Sequence, residues 1–216
     1  MDTILFFLEL LGVVAFALSG AMLAIRKGMD ILGVCVMGAT TAVGGGILRD
    51  LMLGITPPST LLNPTYALIA IGVSLFVFLP FAQRFLVGRS HKIYEWFVLI
   101  ADSIGLGIFS VMGVGICYDS YPNASILMAT FLGVITGVGG GVLRDVMSQS
   151  KPYILVKHFY ACASIIGALL CALLRPWLGV LPAAAIGSAV IFGLRILAAI
   201  FRWELPKYPE VFPEKK

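Results

Sequence analysis

Charge is scarce in this sequence: 15 basic and 11 acidic residues among 216, 12% of the chain, where soluble domains carry about a quarter. That scarcity excludes an ordinary water-soluble globule. Histidine occurs only as His91 and His158. Neither has a partner at metal or catalytic spacing, so both read as solvated residues. The four cysteines, Cys35, Cys117, Cys162 and Cys171, lie in or beside apolar runs without ligand spacing. They read as small hydrophobes that say little about redox compartment. There is no HExxH and no nucleophile elbow. No strand precedes the glycine runs and no P-loop lysine follows them, so an enzyme, a metal site or a nucleotide cofactor is not expected. Also missing are the alternating ten-residue segments of a membrane barrel. The opening "MDTILFFLEL" has no basic leader and carries Glu9, so the first apolar run reads as a retained span rather than a cleaved signal.

What is abundant is apolar length. Mean hydropathy is +1.02, and about 20 apolar residues suffice to cross a bilayer. Seven runs qualify: Ile4–Ile25, Ile31–Leu53, Thr65–Ala82, Glu95–Cys117, Asn123–Met147, His158–Leu174 and Val180–Phe201. The expected fold class is therefore an all-α integral membrane protein of seven transmembrane helices. It forms a single domain over residues 1–206, with a cytoplasmic tail at 207–216. Outside the spans, eleven basic residues fall on one side and only Arg175 on the other. This bias puts the N-terminus outside and the C-terminus in the cytoplasm of a cell membrane. The net charge of +4 is thus spent on orientation, and no nucleic-acid partner is expected. Trp96, Trp177 and Trp203 fall at span edges, where amphipathic rings prefer to sit.

The chain repeats itself. "TAVGGGILRDLM" at Thr41–Met52 returns as "TGVGGGVLRDVM" at Thr136–Met147. Glu9, Gly12, Phe16 and Gly20 likewise match Asp102, Gly105, Phe109 and Gly113. Each unit (about 4–82 and 95–174) holds three spans. An odd number makes the second enter the membrane from the opposite side, as in inverted-repeat transport proteins. The seventh span, about 180–201, has no mate.

Two readings of Gly44, Gly45 and Gly46, and of Gly139, Gly140 and Gly141, stand open. Three glycines cost about 1 kcal/mol each against alanine inside a helix, so they favour a break in spans two and five. Such a break frees backbone groups that must face protein or a wet cavity. Equally, Gly133-x-x-x-Gly137-x-x-x-Gly141 is a pattern for close helix packing. The adjoining charges favour function, because ionisable residues at this depth are expensive. If the helix restarts after the glycines, Asp50 and Asp145 sit in a first turn where the dipole favours them. Arg49 and Arg144 then sit at the wrong end and need a carboxylate or the freed carbonyls, which a passing cation also binds. Asp102 is expected to attract cations or pair with an arginine, and Glu9 to snorkel. Arg195 is expected to pair with a carboxylate or reach the surface. Thr41 and Thr136 offer hydroxyls either to a pathway or, more commonly, to their own helix.

The doubled T-[AG]-V-G-G-G-[IV]-L-R-D in two three-span units plus a seventh span resembles the trimeric intracellular cation (TRIC) channels, in their prokaryotic branch. The resemblance runs from Glu9 to about Phe201. It implies a homotrimer in the lipid bilayer, each protomer with its own hourglass pore between spans two and five. That pore passes potassium and other monovalent cations such as Na+. The glycine triplets become its kink points, and Arg49 and Arg144 the basic residues near its constriction. Animal members bind phosphoinositide at the inner face, which implies a phospholipid at a similar place here. The same doubled motif is also grouped under a glycine-transporter label. A secondary transporter of a small solute such as glycine is therefore the alternative, with a half-helix amino end holding a carboxylate.

Overall fold

The computed structural model describes residues 3–86, 91–156 and 159–203. The tail at 207–216, Arg89, Lys157 and His158 lie outside the described residues. Among the described residues ten helices follow one another: α1 (Thr3–Arg26), α2 (Ile31–Met52), α3 (Ser59–Leu62), α4 (Thr65–Phe78), α5 (Pro80–Leu86), α6 (His91–Ser120), α7 (Ile126–Met147), α8 (Tyr153–Val156), α9 (Tyr160–Leu178) and α10 (Val180–Ile200). Six of them, α1, α2, α6, α7, α9 and α10, are long and apolar enough to cross a membrane.

The third expected span, Thr65–Ala82, departs from expectation. Its helix α4 stops after 14 residues, about 21 Å at 1.5 Å per residue, short of the hydrocarbon thickness of about 30 Å. The cause is Pro80. The residue before a proline is pushed out of the helical region, and Leu79 is extended at φ −61°, ψ 140°. The chain then restarts as α5. Elsewhere the ends follow local chemistry: Asp30 Oδ1 accepts from Gly33 N at 2.8 Å to cap α2, and Ser125 Oγ accepts from Met128 N at 3.2 Å to cap α7.

The expected breaks at the glycine triplets are not there. Helices α2 and α7 run unbroken through Gly44–Gly46 and Gly139–Gly141. The reason is packing. A Cβ on Gly45 would overlap the Thr136 carbonyl, and one on Gly140 would overlap the Thr41 carbonyl. The glycines thus let two intact helices cross almost backbone to backbone, and no carbonyls or amides are freed. The dipole argument reverses with this. Arg49 and Arg144 lie in the last turns of their helices, the end that favours cations, and the aspartates occupy the disfavoured end.

Helices α1 and α6 pack antiparallel beside this crossing. Gly12 faces Phe109 and Gly105 faces Phe16, with the two phenyl rings 5.3 Å apart between centroids. The contacts are reciprocal, as two copies about a local two-fold relation require. Helix α10 packs on α6 and α9, where Gly167 and Gly187 lie against each other's helices.

Candidate functional site: two buried charge clusters

Crossing at the glycines, α2 and α7 carry their Arg–Asp pairs away in opposite directions. In the second repeat the cluster is buried. Arg144 is fully buried, as are Asp102, Asp145 and Arg195. Arg144 Nε donates to Asp145 Oδ1 at 2.9 Å, and its Nη1 donates to Asp102 Oδ1 at 2.6 Å and to Ser19 Oγ at 2.5 Å. From α10, Arg195 Nη2 lies 3.7 Å from Asp102 Oδ2. Two cations thus meet two carboxylates, so burial leaves no net charge, the condition under which such groups are tolerated away from water. The Arg144 guanidinium lies over the Tyr153 ring at 4.9 Å and that of Arg195 over Tyr160 at 4.6 Å. Tyr153 stands in α8, outside the spans, where burial pushes its phenol up and keeps it neutral.

The aspartate of each pair has a second task. Asp145 Oδ2 accepts from Tyr153 N at 2.8 Å, at the first residue of α8. Asp50 Oδ2 accepts from Ser59 N at 2.8 Å and Ser59 Oγ at 2.5 Å, at the first residue of α3. Each carboxylate therefore holds its own arginine and ties down the amino end of the next short helix.

In the first repeat the Arg–Asp pair is also buried but borders a cavity. Arg49 Nε and Nη2 both donate to Asp50 Oδ1, at 2.8 and 2.7 Å. Glu9, the counterpart of Asp102, instead accepts from the Tyr66 hydroxyl. It is half-buried and held, where snorkelling was expected. Glu9, Gly46, Arg49, Thr60, Asn63 and Tyr66 line a cavity of about 350 Å³. A second cavity, of about 760 Å³, lies toward the other end of α1, against Leu23, Arg26, Lys92, Tyr94, Tyr153 and Arg195. Phe16, in the stretch of α1 between the two ends, is buried beside Phe109 and the glycine crossing.

A family model described as "Glycine transporter" matches residues 6–81 and 99–176. The Escherichia coli K12 "UPF0126 inner membrane protein YadS" is 35% identical over 94% of both chains. The Deinococcus radiodurans "UPF0126 membrane protein" is 38% identical over 88% of this chain and 86% of its own. Among solved structures, a prokaryotic TRIC channel in 0.5 M KCl superposes with TM-score 0.85 at 31% identity, over 95% of this chain and all of that one. The TRIC trimeric intracellular cation channel orthologue from Rhodobacter sphaeroides gives TM-score 0.84 at 33% identity, over 94% of this chain and all of that one. The chain belongs to the TRIC family, in its prokaryotic branch. A third TRIC structure, described for conductance, reaches 38% identity and TM-score 0.82 over 96% of this chain and 98% of that one. The structural neighbours of this TRIC protein are thus cation channels, and its curated relatives are membrane proteins.

Within this frame the expected site residues fall into four groups. Gly44, Gly45, Gly139 and Gly140 form the crossing itself. Thr41 and Thr136 turn back on their own helices, donating to Met37 O at 2.7 Å and Leu132 O at 2.6 Å. Arg49, Asp50 and Gly46 face the smaller cavity, while Arg144, Asp145, Asp102 and Gly141 are buried together. Sequence reasoning missed Tyr66, Tyr160, Ser19, Ser59 and Tyr153. A signal existed for two of them: Tyr66 and Tyr160 stand at matching places in the third span of each repeat.

Proposed function

We propose that this TRIC-family protein is a channel for monovalent cations, potassium among them. Each protomer of a homotrimer carries a pore along the α2–α7 crossing, built from two inverted three-helix units and a seventh helix. The observation that carries the reading is the likeness to channel structures at 31–38% identity and TM-scores of 0.82–0.85 across nearly the whole chain. Two further features support it. Charged side chains stand on either side of the crossing, and each half has an arginine tethered by an adjacent carboxylate. A tethered guanidinium sets the local potential that a permeant cation meets. The positive-inside bias orients the N-terminus outward. That orientation gives the larger, basic cavity, with Arg26, Lys27, Lys92 and Arg202, to the cytoplasmic side, where a phospholipid headgroup fits its charge.

The test is reconstitution of the purified protein in planar bilayers under a potassium gradient. Unitary, non-saturating currents are expected. Saturable uptake with counterflow and no resolvable openings would assign the protein to the carriers, with a small solute such as glycine as its cargo.

A further inference from the structure

The third span is built differently in the two halves. In the second half, α9 runs on through Pro176 as one helix of 19 residues, about 28 Å at 1.5 Å per residue. In the first, Pro80 stands toward the far end of the matching span, and the chain leaves the helix one residue before it. The break is clasped. Pro80 has no N–H to give to Phe76 O, and Leu79 N donates there instead at 3.2 Å. Phe78 O, which Ala82 N would reach in a continuous helix, accepts from the Gln83 side-chain Nε2 at 2.8 Å. A side-chain amide thus pairs a carbonyl at the break, as backbone at membrane depth requires.

The surroundings of the break are apolar and open. Phe76, Leu79 and Phe81 are exposed by 56, 53 and 79%, while the opposite side of α4, at Ala70, Ser74 and Val77, is buried in the packing on α1 and α2. Gly72, on the outward side, has open space where a Cβ would lie. The joint therefore presents itself to acyl chains. Two lengths are available to this span. Broken, its helix α4 covers about 21 Å; joined as α9 is, one helix over residues 65–86 would cover about 33 Å. These lie on either side of the hydrocarbon thickness of about 30 Å. A short span is met by thinning of the lipid and a long one by tilt, each at a cost, so bilayer thickness enters the balance between the two forms directly.

We propose that the α4–α5 joint is a bilayer-thickness switch: a thin bilayer holds it broken, as in this structure, and a thick one draws α4 and α5 into a single helix. Gln83 is the positioning residue that holds the broken form, and Pro80 keeps the joined form from prevailing. What moves with the joint is the wall of the smaller cavity. At the other end of α4, Thr65 N donates to Asn63 Oδ1 at 3.2 Å and the Tyr66 hydroxyl holds Glu9, and Asn63, Tyr66 and Glu9 all line that cavity. The consequence for ion flow rests on the channel reading; the switch itself does not.

The test uses the full chain in vesicles of monounsaturated phosphatidylcholines with 14, 18 or 22 carbons per chain, with thermal melting and potassium flux measured in each. Pro80→Ala removes the obstacle to joining, and Gln83→Leu removes the clasp on the broken form. Both should move the melting maximum to longer chains than the wild type prefers, by at least one step of the series. Pro176→Ala, in the span that is already continuous, is the control and should keep the wild-type maximum. Because the readout is the position of the maximum, a uniform loss of stability does not mimic it. A wild-type maximum in the longest lipid, an unshifted maximum in Pro80→Ala or Gln83→Leu, or the same shift in Pro176→Ala overturns the switch. Potassium flux should differ at least fivefold between the thinnest and thickest bilayers for the wild type and less than twofold for Pro80→Ala. A smaller wild-type ratio, or one as large in Pro80→Ala, overturns the link from joint to cavity. If the wild type passes no cation in any bilayer, the channel reading fails and the melting maxima alone decide the switch.

Discussion

Gly45 and Gly140 face one another across the α2–α7 crossing, each with the room for its Cβ taken by a main-chain carbonyl of the opposite helix, Thr136 for one and Thr41 for the other. Backbone cannot step aside as the tip of a flexible side chain can. Gly45→Ala and Gly140→Ala should therefore force the helices apart and cost several kcal/mol, on the scale of overpacking a tight core or more. Gly46 is the internal control. Its Cβ would meet nothing nearer than 3.5 Å, so Gly46→Ala should hold stability level or raise it by up to about 1 kcal/mol through helix propensity. Thermal melts in detergent compare the three. Equal losses would show that the triplet acts through backbone flexibility instead.

Arg144 and Asp102 permit a second comparison. Arg144→Ala leaves Asp102 and Asp145 buried with their nearest cation gone, a loss on the order of 3–5 kcal/mol for a broken buried pair. Asp102→Asn leaves Arg144 with Asp145 but takes from Arg195 the carboxylate it lies against. Because both changes act on one network, the double variant should lose clearly less than the sum of the singles. Denaturant or thermal unfolding of the four proteins measures this coupling, and additive losses would mean that the 2.6 Å contact contributes little.

Much of this architecture could be read before any coordinates. The spans were legible because crossing lipid needs apolar length, and six of the seven became helices long enough to cross it. The shortening of the third turned on one residue, Pro80, which a hydropathy average does not register. The pairing of Asp102 with an arginine was legible from the cost of burying either alone. The glycines were not. A helix break and a close crossing both require the absence of a Cβ, so composition at Gly44–Gly46 cannot separate them; only the identity of the facing atoms does. Nor could the sequence reveal that Glu9 and Asp102, alike by position, choose different partners, because that choice depends on which of two neighbouring side chains lies nearer.

The short helices give a third expectation. Ser59 brings both its backbone N–H and its hydroxyl to Asp50 Oδ2, while the matching Tyr153 brings only its N–H to Asp145. Ser59→Ala removes one hydrogen bond to a charged acceptor and leaves the amide bond in place. The loss should be about 1.5–3 kcal/mol, the range for such bonds, and nearer the lower end because the site is only part-buried. Asp50→Asn should cost more, since it also weakens the hold on Arg49. Melting temperatures in the order wild type, Ser59→Ala, Asp50→Asn check the ranking.

Arg49 and Arg144 should separate stability from conduction. Arg49 faces the smaller cavity and answers to one carboxylate, whereas Arg144 is buried among two carboxylates and a serine. Removing the Arg49 charge therefore breaks fewer contacts but changes the potential in the cavity more directly. At an effective dielectric constant of 20, a unit charge 4 Å from a cation repels it by about 4 kcal/mol, and screening by Asp50 leaves only part of that. Arg49→Gln should accordingly raise potassium conductance several-fold and shift the reversal potential toward that of a more cation-selective pore, with a smaller loss of melting temperature than Arg144→Gln. Arg144→Gln should instead lower stability first. Bilayer recordings and melts on both proteins decide the matter: equal effects on conductance and stability at the two positions would mean that the difference in burial has no bearing on permeation.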